Sequence, residues 1–148
     1  MSDINEAMIF AAGLGKRMYP LSTKVPKPLL KVNGKPIISY IIEDLINLNF
    51  KNIVINTHHL SERFHDELKP YSRTIKIVFE EEILDTGGGF LNAIKRNYFS
   101  NLKSPKVLIN GDVLWKKTVN SPIKNILRNW NEETMDLLLC LIKKRYFF

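Results

Sequence analysis

The sequence holds a single cysteine, Cys140, and its longest strongly apolar run, Leu137 to Ile142, has only six residues. One cysteine excludes an internal disulfide framework and any zinc site built from several cysteines. Six apolar residues fall far short of the ~20 that a membrane-spanning helix needs. Asp3 and Glu6 lie where a signal peptide carries positive charge. We therefore expect a reduced cytoplasmic protein, about one domain in size, that does not enter a membrane.

Acidic side chains are missing from residues 7–42, although the same stretch holds six basic ones. The wider charge is uneven too. Residues 1–94 carry 11 basic and 11 acidic side chains, whereas residues 95–148 carry 11 and 4, which accounts for the net charge of +7. No basic groove interleaved with aromatic residues is visible, so we expect no nucleic-acid partner. The basic stretch is either a solvated loop or an anion-binding loop.

Apolar patterns alternate between two periods along the chain. Runs of four to seven residues predict buried strands, and stripes repeating every three or four residues predict helices. The predicted strands are 7–12, 52–56, 74–79, 106–110 and 136–142. The predicted helices follow Pro36, span the Leu60, Phe64 and Leu68 stripe, and cover residues 87–98 and 122–130. This alternation predicts one α/β domain with a mostly parallel sheet, whose ligands bind outside the carboxyl ends of the strands.

A glycine turn, Gly13-Leu14-Gly15-Lys16-Arg17, follows the first predicted strand. It is not a Walker A loop, and Met18 stands where a dinucleotide fingerprint has its third glycine. Such a turn either holds phosphates with its backbone N–H groups and its cations, or binds nothing. About ten residues later, Pro26 and Pro28 restrict the backbone on both sides of Lys27, which either aims its ammonium group or merely stiffens a connection.

Two further motifs follow predicted strands. In Asn110-Gly111-Asp112, the carboxylate suits a Mg²⁺ ligand that shares the ion with substrate phosphates, or else caps a turn. Three glycines from Gly87 onward open a predicted helix, where they indicate close approach of a base or ribose. In the Glu80–Glu82 run, Glu82 is the candidate to accept hydrogen bonds from such a ligand; the alternative is a solvated acidic turn.

Taken together, these motifs resemble the nucleotide-sugar pyrophosphorylases, the sugar-1-phosphate nucleotidyltransferases. The resemblance covers nearly all of residues 7–142 and is strongest toward N-acetylmuramate-1-phosphate uridylyltransferases and mannose-1-phosphate guanylyltransferase-like proteins. It implies a Rossmann-like three-layer sandwich of the nucleotide-diphospho-sugar transferase type. It also implies a reaction, in cell-wall or surface-sugar metabolism, in which an NTP (UTP or GTP) and a sugar 1-phosphate give an NDP-sugar and pyrophosphate.

The resemblance also implies roles for particular residues. The backbone from Gly13 to Gly15, with Lys16, would hold the triphosphate, and Arg17 would neutralise the leaving pyrophosphate. Lys27 would hold the reacting phosphates together, and Asp112 would bind Mg²⁺. The nucleotide pocket would include Ala11, Ala12, Glu82, Gly87 and Asn110.

Family members continue past residue 148, with a second half that supplies most of the sugar pocket and another acidic metal ligand. We therefore expect residues 1–148 to be the nucleotide-binding N-terminal half, without the sugar-binding half. The alternatives are a non-catalytic remnant or one piece of a split enzyme, with self-association or a complementing chain. A phosphocholine cytidylyltransferase-like enzyme also fits the motif order. The alternation of strands and helices also fits a nicotinamide-dependent oxidoreductase. Two features argue against that class of enzyme: the third glycine of the dinucleotide fingerprint is missing, and the loop is basic.

Overall fold

The computed structural model describes residues 4–115 and 121–141. The chain forms two compact units, residues 1–114 and residues 115–148. In the first unit the strands are Glu6–Phe10 (β1), Lys31–Val32 (β2), Lys35–Pro36 (β3), Asn52–Thr57 (β4), Ile75–Phe79 (β5) and Val107–Asn110 (β6). Its α-helices are Leu21–Lys24 (α1), Ile37–Asn47 (α2), Ser61–Glu67 (α3) and Asp85–Lys95 (α4). Short 3₁₀ turns cover Lys16–Met18, Lys27–Leu29 and Lys69–Tyr71.

The main sheet has four parallel strands in the order β5-β4-β1-β6, and β2 and β3 form a separate small hairpin. Crossovers between parallel strands are right-handed as a rule, and with this strand order they put α2 and α3 on one face and α4 on the other, as in a Rossmann-like three-layer sandwich. Consistently, α4 packs against β1 and β4, and α3 packs against β5. The chain runs outward from β1 through β4 to β5 and then returns to β6. The switch point, where ligands bind in such sheets, therefore lies between β1 and β6.

Both faces of the central strands are apolar, because a parallel sheet is covered on both sides. On the α4 face, Met8, Val54 and Val78 cluster with Ala93 of α4 and with Phe99, all of them buried. The opposite face buries a second set of strand side chains completely: Ala7, Ile9, Ile53 and Ile55. The predicted stripe of α2 is buried as well, since Ile38, Ile41, Ile42 and Leu45 are at most 1% exposed.

A buried carboxylate closes the amino-terminal end of the sheet. Glu6 is 2% exposed and accepts hydrogen bonds from Asn52, from the backbone and side chain of Ser100, and from the backbone of Asn101. Lys106 Nζ lies 3.2 Å from its second oxygen. Burial raises the pKa of Glu6, but these hydrogen bonds outweigh burial and lower the pKa to about 2.

The second unit contains helix α5, Pro122–Asn129, close to its predicted bounds. Ser121 caps it by accepting a hydrogen bond from Lys124 N. The predicted strand over 136–142 is wrong for its described residues, because 136–141 pair with no strand and adopt no regular structure. Without a partner, an extended segment leaves its backbone groups to water, and this one exposes Leu137, Leu139, Leu141 and Cys140. Cys140 is thus an exposed thiol, although its place in an apolar run predicts a buried one.

None of the helices in residues 4–115 and 121–141 combines the length and apolar character that crossing a bilayer requires.

Candidate active site

A cleft of about 400 Å³ opens at the carboxyl ends of the parallel strands, where the switch point predicts a ligand site. Its lining comes from the segments that follow β1 and β6, from the turn around Lys27, from the end of β4, and from the start of α4. The lining residues are Phe10, Ala11, Ala12, Gly13, Gly15, Lys16, Arg17, Lys27, Pro28, Asn56, Ile83, Asp85, Thr86, Asn110 and Asp112. Three cations face two carboxylates in this set, so the cleft favours an anionic ligand.

The glycine turn after β1 has a conformation that requires glycine at one of its two positions. Gly15 has a φ of +63°, and a Cβ there would lie 3.1 Å from the Lys27 Cβ and 3.2 Å from the Ser22 Cβ. The Ser22 hydroxyl fixes the turn by donating a hydrogen bond of 2.8 Å to Gly15 O. By contrast, a Cβ at Gly13 would meet no atom within 4 Å. Gly13 therefore leaves open space in the cleft, where a ligand can approach the backbone.

Two buried prolines hold the turn that carries Lys27. Pro26 and Pro28 are buried on either side of it, and Leu29 is only 1% exposed. The backbone closes a 3₁₀ turn through a 2.8 Å hydrogen bond from Leu29 N to Pro26 O. The anchored backbone presents the Lys27 side chain, which is 27% exposed, to the cleft. The prediction that the two prolines aim this lysine agrees with this geometry.

Asp112 reaches the same point from the other side of the cleft. Gly111 N donates a 2.8 Å hydrogen bond to Phe10 O, which holds the turn after β6 against the end of β1. Asp112 Oδ2 then lies 2.5 Å from Lys27 Nζ. A lysine from the first loop and a carboxylate from the turn after β6 thus meet at the switch point.

The cleft also includes an asparagine that the sequence did not single out for a role. Asn56, at the end of β4, is 2% exposed, and its Oδ1 accepts a 2.9 Å hydrogen bond from Ala11 N. Ile83, Asp85 and Thr86 are further lining residues outside the predicted set. The sequence signal for these residues was their position. Ile83, Asp85 and Thr86 follow β5, and Asn56 lies at the carboxyl end of β4.

Most of the predicted site residues do come together. The cleft contains Ala11, Ala12, Gly13, Gly15, Lys16, Arg17, Lys27, Asn110 and Asp112. Two do not line it. Glu82 lies with Glu81 in a neighbouring depression, and Gly87 is exposed within α4, which begins at Asp85 rather than at residue 87. The contacts predicted for Glu82 and Gly87 with a base or sugar stay predictions.

Asp112, the residue predicted to bind a metal ion, lies in the cleft beside Lys27, and its metal-binding role stays a prediction. Among the residues that the structure describes, no three His, Cys, Asp or Glu side chains converge into a metal cage. A single carboxylate in a cleft that favours anions is the kind of ligand that Mg²⁺ uses, because Mg²⁺ keeps several waters and is held by one or two carboxylates together with substrate phosphates.

Residues 6–146 match the nucleotidyl transferase family. The chain is 39% identical over 113 residues to the N-acetylmuramate alpha-1-phosphate uridylyltransferase of Neisseria meningitidis, a match that covers 74% of this chain and 47% of that protein. It is 30% identical over 141 residues to the protein of the same name from Caulobacter vibrioides, covering 91% and 57%. This chain therefore spans about half the length of these relatives.

Solved structures agree on the fold. The HddC protein of Yersinia pseudotuberculosis is 29% identical, with a TM-score of 0.63 over 74% of this chain and 48% of that one. The CTP:phosphocholine cytidylyltransferase of Streptococcus pneumoniae is 31% identical, with a TM-score of 0.59 over 74% and 46%. One HddC structure is a complex with GMP-PN.

Proposed function

This chain belongs to the nucleotidyl transferase family, whose members act as sugar-1-phosphate nucleotidyltransferases, and from that premise we propose that its cleft binds the NTP of such a reaction. The observation that carries the proposal is the meeting of Lys27 and Asp112 beside the glycine turn, at the switch point of the sheet. In the reaction, an NTP and a sugar 1-phosphate give an NDP-sugar and pyrophosphate.

The chemistry needs positioning and charge neutralisation more than it needs acid–base groups. A phosphate oxygen of the sugar 1-phosphate attacks the α-phosphorus in line. The bond between the α-phosphorus and the oxygen that joins it to the β-phosphorus breaks, and that oxygen leaves with the pyrophosphate. The open backbone at Gly13 holds the triphosphate, while Lys16 and Arg17 neutralise charge that builds on the pyrophosphate. Lys27 holds the attacking phosphate and the α-phosphate close together.

Asp112 is the residue that would hold Mg²⁺ in this cleft, together with phosphate oxygens of the ligand. When bound, the ion supplies charge neutralisation for the phosphates and orients them. Lys27 Nζ, 2.5 Å from Asp112 Oδ2, would then exchange the carboxylate for the phosphates, while Asp112 would hold the ion. The geometry supports this exchange of partners, because both side chains are partly exposed at the mouth of the cleft.

We further propose UTP or GTP as the nucleotide, because uridylyl- and guanylyltransferases both occur among the relatives. The sugar would be one used in the cell wall or at the cell surface, as the relatives' names suggest. Because the reaction consumes an NTP, we propose that the protein works in the cytoplasm. Ala11 and Ala12 are the candidates to contact the base, together with Glu82 and Gly87 if α4 shifts on binding.

A second candidate is a protein that binds nucleotide without turning it over alone. The matches cover 47% and 57% of two relatives, and the described residues contain no group of three or more potential metal ligands. On this proposal a complementing chain or a second copy supplies the sugar pocket. A phosphocholine-type acceptor is the remaining variant, supported by the likeness to the cytidylyltransferase structure.

Calorimetric titration of the purified chain with UTP, GTP and CTP in Mg²⁺ tests the proposal. We expect one NTP to bind, and we expect Arg17→Ala to weaken that binding. Lys51→Ala is the matched control, because Lys51 is an exposed cation that follows α2 and is absent from the cleft lining. A folded chain that binds none of the three nucleotides would refute the proposed function. Product formation on adding a sugar 1-phosphate separates the transferase from the binding-only candidate.

A further inference from the structure

The two walls of the cleft are connected by a pair of buried polar side chains, Asn56 and Glu80. Each is 2% exposed, and Asn56 Nδ2 donates a 2.8 Å hydrogen bond to Glu80 Oε1. The other end of the Asn56 amide accepts the 2.9 Å bond from Ala11 N. Asn56 therefore uses both ends of its amide, one toward the segment that follows β1 and one toward the segment that follows β5.

Glu80 continues the connection to the start of α4. Its second oxygen, Oε2, accepts a 3.3 Å hydrogen bond from Leu84 N, and its own N–H donates to Thr57 O at 2.8 Å. Leu84 immediately precedes Asp85 and Thr86, which line the cleft together with Ala11. One continuous chain of hydrogen bonds thus runs from Ala11 through Asn56 and Glu80 to Leu84.

Helix α4 is packed tightly onto this pair. A Cβ at Gly89 would lie 2.7 Å from Glu80 Oε1 and 2.8 Å from Asn56 Nδ2, closer than real Cβ contacts allow. The sequence predicts that the glycine run admits a base or ribose. At Gly89, the close neighbours are instead the protein's own buried amide and carboxylate. The absence of a side chain there lets α4 rest on the pair, so the pair also sets the position of the helix.

A similar pair, Asn52 of β4 and Glu6 of β1, lies at the opposite end of the sheet from the cleft. At the amino-terminal end of β4, Asn52 Nδ2 donates a 2.7 Å hydrogen bond to Glu6 Oε1. Asn52 Oδ1, however, is buried and has no hydrogen-bond partner. The two asparagine–glutamate pairs share burial and chemistry, but only the Asn56 pair reaches the cleft.

We propose that Asn56 and Glu80 are positioning residues that set the separation of the cleft walls and thereby the affinity for nucleotide. The affinity part rests on the proposed function, whereas the geometric part does not. A buried polar network acts in this way when every member is satisfied, because any rearrangement leaves a donor or acceptor unpaired.

The polarity of the pair gives a selective test. In Glu80→Gln, the side-chain amide offers one acceptor where two are needed, so either Asn56 or Leu84 N loses its partner. In Asn56→Asp, two carboxylates face each other at 2.8 Å. The double variant N56D/E80Q restores every bond with the polarity reversed. Its carboxylate at position 56 accepts from Ala11 N and from the new amide nitrogen at position 80, and the amide oxygen at position 80 accepts from Leu84 N.

We expect each substitution alone to lower the affinity for the bound NTP roughly tenfold or more, as one broken bond to a buried carboxylate implies. The double variant should recover most of that loss. Asn52→Asp is the matched control. It opposes two buried carboxylates at the far end of the same strand, so it should lower the unfolding midpoint and leave nucleotide affinity unchanged in the folded protein. The proposal would be overturned if Asn52→Asp lowered the nucleotide affinity as much as the single substitutions at Asn56 and Glu80 do. It would also be overturned if the folded double variant recovered none of the lost affinity.

Amide NMR tests the geometry without nucleotide. Glu80→Gln should shift the amide resonances of Ala11, Leu84 and Thr86, and the double variant should return Thr86 toward its original position. If the unsubstituted chain binds no nucleotide while these shifts follow the expected pattern, the proposed function fails and the positioning role stands. If the three resonances stay unchanged in Glu80→Gln, the positioning role fails whatever the chain binds.

Discussion

Lys27 Nζ and Asp112 Oδ2 lie 2.5 Å apart across a sequence separation of 85 residues. The contact joins the proline-framed turn to the end of β6, so the two parts of the chain with the most specific motifs meet directly. In the proposed reaction each group exchanges this partner for the ligand, because phosphates attract the lysine and a divalent cation attracts the carboxylate.

Asp112→Asn is expected to remove the dependence of nucleotide binding on Mg²⁺. The pair is partly exposed, so the free energy of unfolding should fall by less than about 1 kcal/mol. The affinity for NTP should be the same in Mg²⁺ and in EDTA, as measured by calorimetry. A variant that keeps the full enhancement by Mg²⁺ would show that Asp112 is not the metal ligand.

Gly15→Ala is expected to destabilise the fold, whereas Gly13→Ala is not. At Gly15 the left-handed backbone and the nearby Lys27 and Ser22 Cβ atoms make a side chain cost about 1–2 kcal/mol or more. At Gly13 a methyl group meets open space, so it should change the midpoint of urea unfolding little. Gly13→Ala should nonetheless weaken NTP binding, because the methyl group occupies the space proposed for the phosphates. Normal binding by Gly13→Ala would place the phosphates elsewhere.

Acid should destabilise the chain partly through Glu6. Its pKa in the folded protein is about 2, below the ordinary value of 4.5, so it stabilises the fold fully above about pH 4.5. That stability is lost as the pH falls from 4.5 toward 2, and it amounts to roughly 3 kcal/mol. Urea unfolding of the unsubstituted chain and Glu6→Gln, between pH 6 and pH 2.5, measures it. The difference in the free energy of unfolding between the two proteins should become smaller as the pH falls. A difference that stays constant would contradict the low pKa of Glu6.

Exposed leucines in the second unit favour self-association. Leu137, Leu139 and Leu141 are 70%, 65% and 84% exposed, a concentration of apolar surface that monomers rarely leave in water. We expect the sedimentation coefficient to rise with protein concentration, and L139K/L141K to remove that rise while circular dichroism stays unchanged. Replacing exposed Leu102 in the other unit with Lys serves as the control. An unsubstituted chain that stays monomeric would contradict this expectation.

Periodicity and turn residues were sufficient to predict the main sheet and helices α2, α3 and α4, because the strands are apolar and the loops carry glycine and proline. The β2–β3 hairpin and helix α1 were not predicted. The predicted strand over 7–12 is observed as Glu6–Phe10, and the helix after Pro36 begins at Ile37. Most cleft residues could be located as well, because the carboxyl ends of parallel strands share one edge.

Pairings between polar side chains could not be predicted in this way. In the acidic run, the sequence singles out Glu82, yet Glu80 is the residue that is buried and bonded to Asn56. The point at which β5 ends relative to α4 determines which of the three adjacent glutamates is buried. Strand side chains alternate with a period of two residues, so periodicity cannot distinguish Glu80 from Glu82. The strand prediction over 136–142 was wrong for a related reason, because a β-strand forms only where another strand pairs with it.

The strand order also determines when the cleft can form during synthesis. β1 leaves the ribosome first but lies in the centre of the sheet, and its neighbour β6 comes about a hundred residues later. Contacts this distant in sequence close slowly, because the loop entropy is lost before the pairing compensates for it. A nascent chain therefore carries Lys27 and the glycine turn while one side of β1 still lacks its partner strand. The cleft is complete only once Asn110 and Asp112, which line it, have emerged.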